Sequence, residues 1–259
     1  MDQTIQKEWN LMDKKKIKIL VIGESCRDIF NYGYCERLCP EAPVPVFNLI
    51  RTAENGGMAR NVYSNLLAMN ADAFLYTNKN WKNITKTRFV EEKNNHMFMR
   101  LDIGDKDYGK VNLKKIKFSN YDAVIISDYN KGFLTEKDIE DISDKHPNTF
   151  LDTKKQLGDW CRKIKFIKIN NFEYNRTKHL VDENMEEKLI ITMGPEGCKY
   201  QNIIFPVEEV EIKDSSGAGD TFISAFTLRY LETENVHEAL KYASNSATKV
   251  VQKRGVSTV

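Results

Sequence analysis

The amino-acid sequence predicts an α/β protein with a mostly parallel central sheet and helices on both of its faces. Short apolar runs rich in β-branched residues recur along the chain, and such continuous runs are typical of strands buried on both faces. Segments with helical spacing of apolar residues lie between these runs, and this alternation favours the α/β class. The predicted strands are 17–22, 123–126, 149–151, 166–169 and 189–192, and the predicted helices are 61–69, 135–145, 218–231 and 236–251.

Residues 31–49 break this alternation. The segment reads NYGYCERLCPEAPVPVFNL, contains three of the six prolines, and alternates polar with apolar residues at both ends. This pattern predicts two strands of a small sheet that projects from the main one. Residues 88–90 and 97–101 are candidates for further strands of the same sheet. No repeat or flexible linker divides the chain, so we expect one domain over residues 1–259, with the strands of the small sheet within about 31–49 and 85–102.

The composition indicates a globular protein with small-molecule partners. Of the 259 residues, 41% are hydrophobic and 29% are charged, which suffices for a substantial core. The formal net charge is only +2, far from the strongly basic balance typical of nucleic-acid binding. Five cysteines without a C-x-x-C pair indicate free thiols in a reducing compartment. The N-terminal segment lacks the apolar stretch of a signal peptide, and no apolar run could span a bilayer, so we expect a soluble, cytoplasmic protein.

The segment DSSGAGD at positions 214–220 directly precedes a predicted helix. Glycines at a helix start leave backbone N–H groups unobstructed, and with the helix dipole they form a cradle for phosphate oxygens or a developing oxyanion. Asp220 would lie in the first turn, where its carboxylate could accept a proton from a hydroxyl nucleophile as a general base. The alternative is that Asp214, Ser215 and Ser216 only cap the helix while the glycines turn the chain.

The same segment resembles the D-T-x-G-A-G-D signature of the ribokinase-like, or PfkB, carbohydrate kinases. The residues SAF at 224–226 also fit the end of that signature, and Ser215 stands where threonine is usual, which keeps the hydroxyl. The resemblance implies an enzyme that uses ATP and Mg²⁺. It also implies that Asp220 is the catalytic base and that the anion hole consists of Gly217, Ala218 and Gly219.

The N-terminal half resembles the D-glycero-D-manno-heptose 7-phosphate kinases of lipopolysaccharide-core biosynthesis. CPEAPVPV at 39–46 and GGMARN at 56–61 stand, in the same order and spacing, where that family has S-P-E-A-P-V-P-V and G-G-A-A-N-V. Segments 86–88, 100–102, 127–132, 152–154, 170–173 and 253–259 extend the resemblance over the chain from Lys18 onward. It implies phosphorylation of the anomeric hydroxyl of a heptose 7-phosphate, and a homodimer formed through the small sheet, which would act as a lid.

Several polar residues are candidates for binding the acceptor sugar. Asp28 follows Gly23, at the end of the first predicted strand, where a carboxylate could bind sugar hydroxyls as the matching aspartate of the resembled family does. A loop aspartate that caps its own turn is the alternative. Gly56 and Gly57 would permit close backbone approach, or would only turn the chain, and Asn61 offers both a donor and an acceptor.

A phosphorylated acceptor also requires a fixed cation. Arginine would be preferred where both phosphate oxygens are bound at once. Each candidate could equally be a solvated surface charge. The candidates beside segments that resemble the family are Lys86, Arg88, Arg100 and Lys131, and Asp128 of the segment that contains Lys131 is assigned to the acceptor with them.

The remaining assignments concern the nucleotide and its metal. Asn170 and Glu173 form an N-x-x-E pair after a predicted strand, and the resemblance implies that Glu173 positions Mg²⁺ indirectly, through water. A glutamate at a helix N-terminus without a metal role is the alternative. The resemblance also assigns to the nucleotide side Thr192, Gly194, Gly197 and, on the helix that borders the adenine, Asn245.

The chain departs from the heptose kinases after residue 77. Only residues 78–84 precede the TKTR segment, where the family has a further helix and strand, so we expect a βα unit to be missing. Besides the heptose 7-phosphate kinase, a kinase for another sugar or sugar phosphate stays open. So does a catalytically weak regulatory homologue, which the missing unit favours and the intact DSSGAGD segment opposes. A Rossmann-type oxidoreductase is disfavoured because GESCRD, and not G-x-G-x-x-G, follows the first strand.

Overall fold

The computed structural model describes residues 16–255 and 257–259. The N-terminal segment, in which we expect no signal peptide, lies outside them up to residue 15, as does Val256 of the closing segment. The strands are β1 (Lys18–Gly23), β2 (Ser25–Leu38), β3 (Pro45–Met58), β4 (Asp72–Thr77), β5 (Thr85–Glu91), β6 (Met97–Ile103), β7 (Ala123–Asp128), β8 (Thr149–Thr153), β9 (Phe166–Asn170), β10 (Leu189–Thr192), β11 (Cys198–Tyr200) and β12 (Ile203–Phe205). The α-helices are α1 (Ala59–Ala68), α2 (Glu136–Lys145), α3 (Asn171–Thr177), α4 (Glu183–Glu186), α5 (Ala218–Thr233) and α6 (Val236–Val251).

The main sheet has the strand order β12-β11-β10-β9-β8-β7-β1-β4. The strands from β10 to β4 pair in parallel, and β11 and β12 add an antiparallel edge. All five strands predicted for this sheet are present. The prediction omitted β4, whose side chains are mostly half-buried at the sheet edge, and β11 and β12, which have only three residues each.

Helices cover both faces of the main sheet, as predicted. In β1, Ile19 and Val21 pack into one core with residues of α1, α5 and α6. Leu20 and Ile22 pack into a second core on the opposite face, with residues of α2. Because successive side chains of a strand point to opposite faces, a strand buried on both faces is apolar throughout, which explains its continuous apolar run.

The small sheet has the order β3-β2-β5-β6 and continues directly from the end of β1. Its strands are longer than the sequence pattern indicated, because β2 and β3 have 14 residues each. As a result, Asp28, Gly56 and Gly57 lie within paired strands and not in loops or turns. Opposite neighbours in the register put Asp28, Lys86 and Asp102 on one face of this sheet.

All five cysteines are free thiols, as predicted. Burial raises the pKa of Cys26 to about 12, so that its thiol stays protonated at neutral pH.

Within the described part of the chain, no helix is both long and apolar enough to cross a membrane.

Candidate active site

The DSSGAGD segment forms the entry to α5. Gly217 occupies the N-cap position with a φ of 83°, a left-handed conformation that glycine adopts without strain. No side chain caps the helix there; Asp214 Oδ1 instead accepts a hydrogen bond of 2.8 Å from Ser216 N within the preceding turn. The first N–H groups of a helix have no intrahelical acceptor, so those of Gly219 and Asp220 can serve an anion.

Asp220 is only 5% exposed at the base of this turn. Its Oδ2 accepts a hydrogen bond of 2.9 Å from Asn61 Nδ2, 159 positions away in the chain, and its Oδ1 accepts one of 2.8 Å from the Tyr129 hydroxyl. Burial raises the pKa of Asp220 to about 6; the nearby Asp152 also raises it, and the two hydrogen bonds lower it. A carboxylate with a pKa near the working pH is suited to accept a proton.

Lys168, on β9, is a residue of this site that the sequence interpretation missed. It is 5% exposed, and its Nζ pairs with Asp152 Oδ2 at 2.9 Å. A Cβ atom added to Gly219 would lie 2.7 Å from this Nζ, so the ammonium group lies directly against the glycine turn. The available signal was a single lysine in the apolar run FIKI, because a charge inside a buried strand requires a partner or a ligand.

A cavity of about 570 Å³ opens beside the turn, at the carboxyl ends of β9 and β10. This is the edge at which open parallel sheets bind ligands, and the partly apolar wall is suited to a nucleotide. The structure does not bring Asn245 to the cavity, because its side chain is exposed while Ser244 and Thr248 of the same helix line the wall. The predicted residues that do line the cavity are Asn170, Thr192, Gly194, Gly197, Gly217, Ala218, Gly219 and Asp220.

Asn170 and Glu173 form a capping box at the start of α3. Glu173 N donates to Asn170 Oδ1 at 2.8 Å, and Asn170 N donates to Glu173 Oε2 at 2.8 Å. Glu173 Oε1 accepts from Lys154 Nζ at 2.8 Å, so both carboxylate oxygens are engaged. Among the described residues, no group of three or more His, Cys, Asp or Glu side chains is arranged to hold a metal directly. Because Mg²⁺ keeps several waters and takes phosphate oxygens, these residues fit an ion carried by a triphosphate.

Asp28 lies on β2, where it contacts Arg88, another residue predicted to bind the acceptor. Arg88 Nη1 donates to Asp28 Oδ1 at 2.5 Å. A Cβ atom on Gly57 would lie 2.8 Å from Asp28 Oδ2, so glycine is needed there for the carboxylate to fit. A Cβ atom on Gly56 would instead meet the Arg60 side chain at 2.6 Å. Asp28 is a strand residue with an ion-pair partner, and the alternative of a loop aspartate does not apply.

The other predicted phosphate-binding cations are also paired with carboxylates. Lys86 Nζ lies 2.8 Å from Asp105 Oδ1 and 3.4 Å from Asp102 Oδ2, and Lys131 Nζ lies 2.6 Å from Asp105 Oδ2. Arg100 is half-exposed and contacts Asp102 at 2.9 Å. Burial opposes the ionisation of Asp105, but the hydrogen bonds from Lys131 and Lys86 hold its pKa well below its usual range. Lys86 and Lys131 therefore converge on one carboxylate.

Asp128 requires a correction to the sequence interpretation. Its side chain has no exposed surface and accepts hydrogen bonds from Thr153 Oγ1 at 2.5 Å, Lys155 Nζ at 2.7 Å and Asn130 N at 3.2 Å. Both carboxylate oxygens are thus engaged within the protein and out of reach of a ligand. The structure thus does not bring Asp128 to the acceptor side; it fixes the start of the loop that follows β7.

The sequence matches one family and several curated proteins. Residues 112–259 match the family described as pfkB family carbohydrate kinase. Bifunctional protein HldE of Helicobacter acinonychis is 31% identical over 293 residues, which cover 92% of this chain and 63% of that protein. Bifunctional protein HldE of Aliarcobacter butzleri is 28% identical over 302 residues, which cover 95% of this chain and 63% of that protein. The chain thus spans less than two thirds of the length of these curated relatives.

Solved structures show the fold. Ribokinase from Thermotoga maritima superposes with a TM-score of 0.66 at 15% identity, covering 93% of this chain and 94% of that one. Arabidopsis thaliana ribokinase complexed with ribose and ATP superposes with a TM-score of 0.68 at 14% identity, with the same coverage of 93% and 94%. These likenesses confirm the ribokinase-like α/β fold that the sequence predicted.

Proposed function

The chain belongs to the pfkB family of carbohydrate kinases, and we propose that it transfers the γ-phosphate of ATP to the anomeric hydroxyl of a heptose 7-phosphate. Membership of the family confirms the predicted resemblance and the enzyme class. One observation carries the proposal: the buried Asp220 carboxylate, with a pKa of about 6 raised by burial, lies at a glycine turn against the Lys168 ammonium. Phosphoryl transfer to a hydroxyl uses a proton acceptor and an anion cradle at one place.

In the proposed reaction, the acceptor hydroxyl lies against Asp220 and the triphosphate occupies the cavity. Asp220 accepts the hydroxyl proton as the oxygen attacks the γ-phosphorus, and the bond to the bridging oxygen breaks to release ADP. The N–H groups of Gly219 and Asp220, with the Lys168 ammonium, stabilise the charge on the transferred group. When bound, Mg²⁺ would supply further charge neutralisation on the triphosphate, and Asn170 and Glu173 are the candidates to hold its waters.

The nucleotide assignment is supported by the cavity and by a relative. ATP is the nucleotide in the Arabidopsis ribokinase structure, whose fold this chain shares. The cavity lies at the N-terminus of α5, where the helix dipole favours phosphate. We therefore assign the phosphates of ATP to the glycine turn and its adenine to the wall formed by α6.

The acceptor assignment rests on the small sheet. The segments CPEAPVPV and GGMARN, which resemble the heptose kinases, lie at the far turn of this sheet and at its junction with α1. Lys86 and Arg88 extend from β5 on the face that carries Asp28. Basic side chains on the face that carries the proposed sugar-binding Asp28 suit an acceptor that already carries a phosphate.

A specific observation favours a second acceptor class. Asp105 already pairs with both Lys86 and Lys131, at 2.8 Å and 2.6 Å, so a phosphate would have to compete with this carboxylate. An acceptor without a phosphate would leave the cluster intact. Another sugar, unphosphorylated at its far end, is therefore the alternative acceptor for the same reaction.

An ADP-release assay across matched sugars with and without a distal phosphate tests the acceptor. If the acceptor is a sugar phosphate, Lys131→Ala should raise KM for it by about 10–100-fold and leave KM for ATP nearly unchanged, because one charge-assisted hydrogen bond is lost. Lys137→Ala, which removes an exposed lysine of α2, is the matched control. Equal activity on both kinds of sugar would reject the phosphorylated acceptor and leave the kinase assignment standing.

We also propose that the small sheet is a lid and that its outer face joins two copies of the chain. Met99, Leu101 and Ile103 alternate along the edge strand β6 and are 53%, 42% and 52% exposed. An apolar row on an edge strand requires a cover, and a second copy offers the same row. This arrangement would set the apolar face against its counterpart and turn the face that carries Asp28, Lys86 and Arg88 towards the sugar.

Light scattering coupled to gel filtration tests the dimer. Leu101→Lys should convert the dimer to a monomer, because the buried ammonium groups would have no partner. Ile204→Lys, at a 58% exposed position of β12 in the other sheet, should leave the mass unchanged. An unmodified protein that is monomeric at micromolar concentration would contradict the proposal.

A further inference from the structure

The carboxylate of Asp220 is held from two sides. Asn61 reaches Oδ2 from α1, and the Tyr129 hydroxyl reaches Oδ1 from the loop after β7. Each carboxylate oxygen has two acceptor sites, so each retains one for a further hydrogen bond. The two donors fix the plane of the carboxylate and leave those sites for a hydroxyl outside the pair.

The backbone of Tyr129 is anchored in turn. Glu24, which follows β1 and is fully buried, accepts hydrogen bonds from Tyr129 N at 2.9 Å and from Lys131 N at 3.0 Å. On the other side, Lys154 Nζ lies 5.0 Å from the centre of the Tyr129 ring. A buried carboxylate that accepts hydrogen bonds from two backbone N–H groups fixes the position of the loop after β7.

We propose that Tyr129 is a positioning residue for the reaction, which orients the Asp220 carboxylate towards the acceptor hydroxyl and stabilises its ionised form. The inference rests on the proposed function, because it assumes that Asp220 is the base. Tyr129 keeps its own proton throughout. The proton of the acceptor hydroxyl passes to Asp220, and the Tyr129 hydroxyl remains a donor to the same oxygen before and after.

The charges around the pair agree with these roles. Burial, followed by the charge of Asp220, raises the pKa of Tyr129 well above its usual range, so its hydroxyl stays a donor. Towards Asp220 face Asp152 from β8, Lys168 from β9 and Lys154 from the segment after β8. Tyr129 and Asn61 donate hydrogen bonds directly to the Asp220 carboxylate, so loss of either donor should favour the protonated form of Asp220.

The test is the titration of Asp220 in Tyr129→Phe, followed by NMR of protein labelled with ¹³C at aspartate carboxyls. Its resonance is assigned by its loss in Asp220→Asn. We expect the pKa of Asp220 to rise by about one pH unit, since a hydrogen bond to a charged group is lost. The acid limb of kcat/KM should move upward by the same amount, whereas Tyr121→Phe, away from the site, should leave both unchanged.

The outcomes separate this inference from the proposed function. If Asp220→Asn keeps its turnover, Asp220 is not the base and the proposed function fails. If Asp220→Asn is inactive but the carboxyl in Tyr129→Phe titrates as in the unmodified protein, only the role of Tyr129 is overturned. Should Tyr129→Phe not fold, Tyr129→Leu carries the same test, because it removes the same hydroxyl without changing a charge; an unchanged pKa of Asp220 would overturn the inference.

Discussion

Asp220→Asn is expected to lower kcat by about 10²–10⁴-fold, the usual contribution of a general base. This corresponds to about 3–5 kcal/mol of activation free energy. Asparagine has nearly the same shape, so the fold and the affinity for ATP should change little. The measurement is kcat of the folded variant with a verified acceptor sugar, above pH 7, where a carboxyl with a pKa of about 6 is ionised in the unmodified protein.

Asp214→Asn is the matched control for that experiment. It makes the same chemical change in the same segment, at a carboxylate that accepts a hydrogen bond from Ser216 N. Asparagine caps such turns nearly as well as aspartate, so this variant should keep its turnover. If Asp220→Asn also kept turnover within a few-fold, DSSGAGD would be only a helix entry, and the catalytic role of the segment would be rejected.

The pH dependence of activity follows from the same carboxyl. Burial raises the pKa of Asp220 above its usual value, so the protonated form gains at the expense of the base as the pH falls through about 6. Turnover should therefore rise with pH across this range. Stability responds in the opposite direction, because this group favours the folded state at low pH and loses that contribution as the pH rises through its folded pKa.

Patterns of local origin were predictable from the sequence. Continuous apolar runs located the parallel strands of the main sheet, because a strand buried on both faces has no polar side to alternate. The DSSGAGD segment located the start of α5 and the glycine at its N-cap. Asn61 was predicted as a sugar-binding residue; in the structure it is buried and donates to Asp220, a contact that spans 159 positions and follows from no local pattern.

What the sequence pattern missed depends on tertiary partners. The strands β2 and β3 were predicted too short, because Asp28 and the Gly56-Gly57 pair suggest loops when their pairing across the sheet is not known. Asp128 looked available, but Thr153 and Lys155, from the next strand and the segment after it, use its carboxylate. Only the packing of neighbouring strands decides such cases.

The strand that carries Lys168 was predicted from the sequence, whereas the role of Lys168 at the site was not. The ammonium is 5% exposed, pairs with Asp152, and lies against the turn that would hold the transferred phosphate. Lys168→Met should lower kcat by about 10²–10³-fold, the usual effect of removing one donor to a developing anion. It should also destabilise the fold by about 3–5 kcal/mol, because Asp152 would remain buried without its partner.

The double variant Lys168→Met with Asp152→Asn separates these two effects. It removes both charges of the buried pair, and replacing such a pair by uncharged residues costs far less stability than breaking it. The midpoint of thermal unfolding should therefore return close to that of the unmodified protein, while kcat should stay low because the ammonium that lies against Gly219 is gone. Recovery of kcat together with stability would show that Lys168 serves only as the structural partner of Asp152 and does not act on the transferred phosphate.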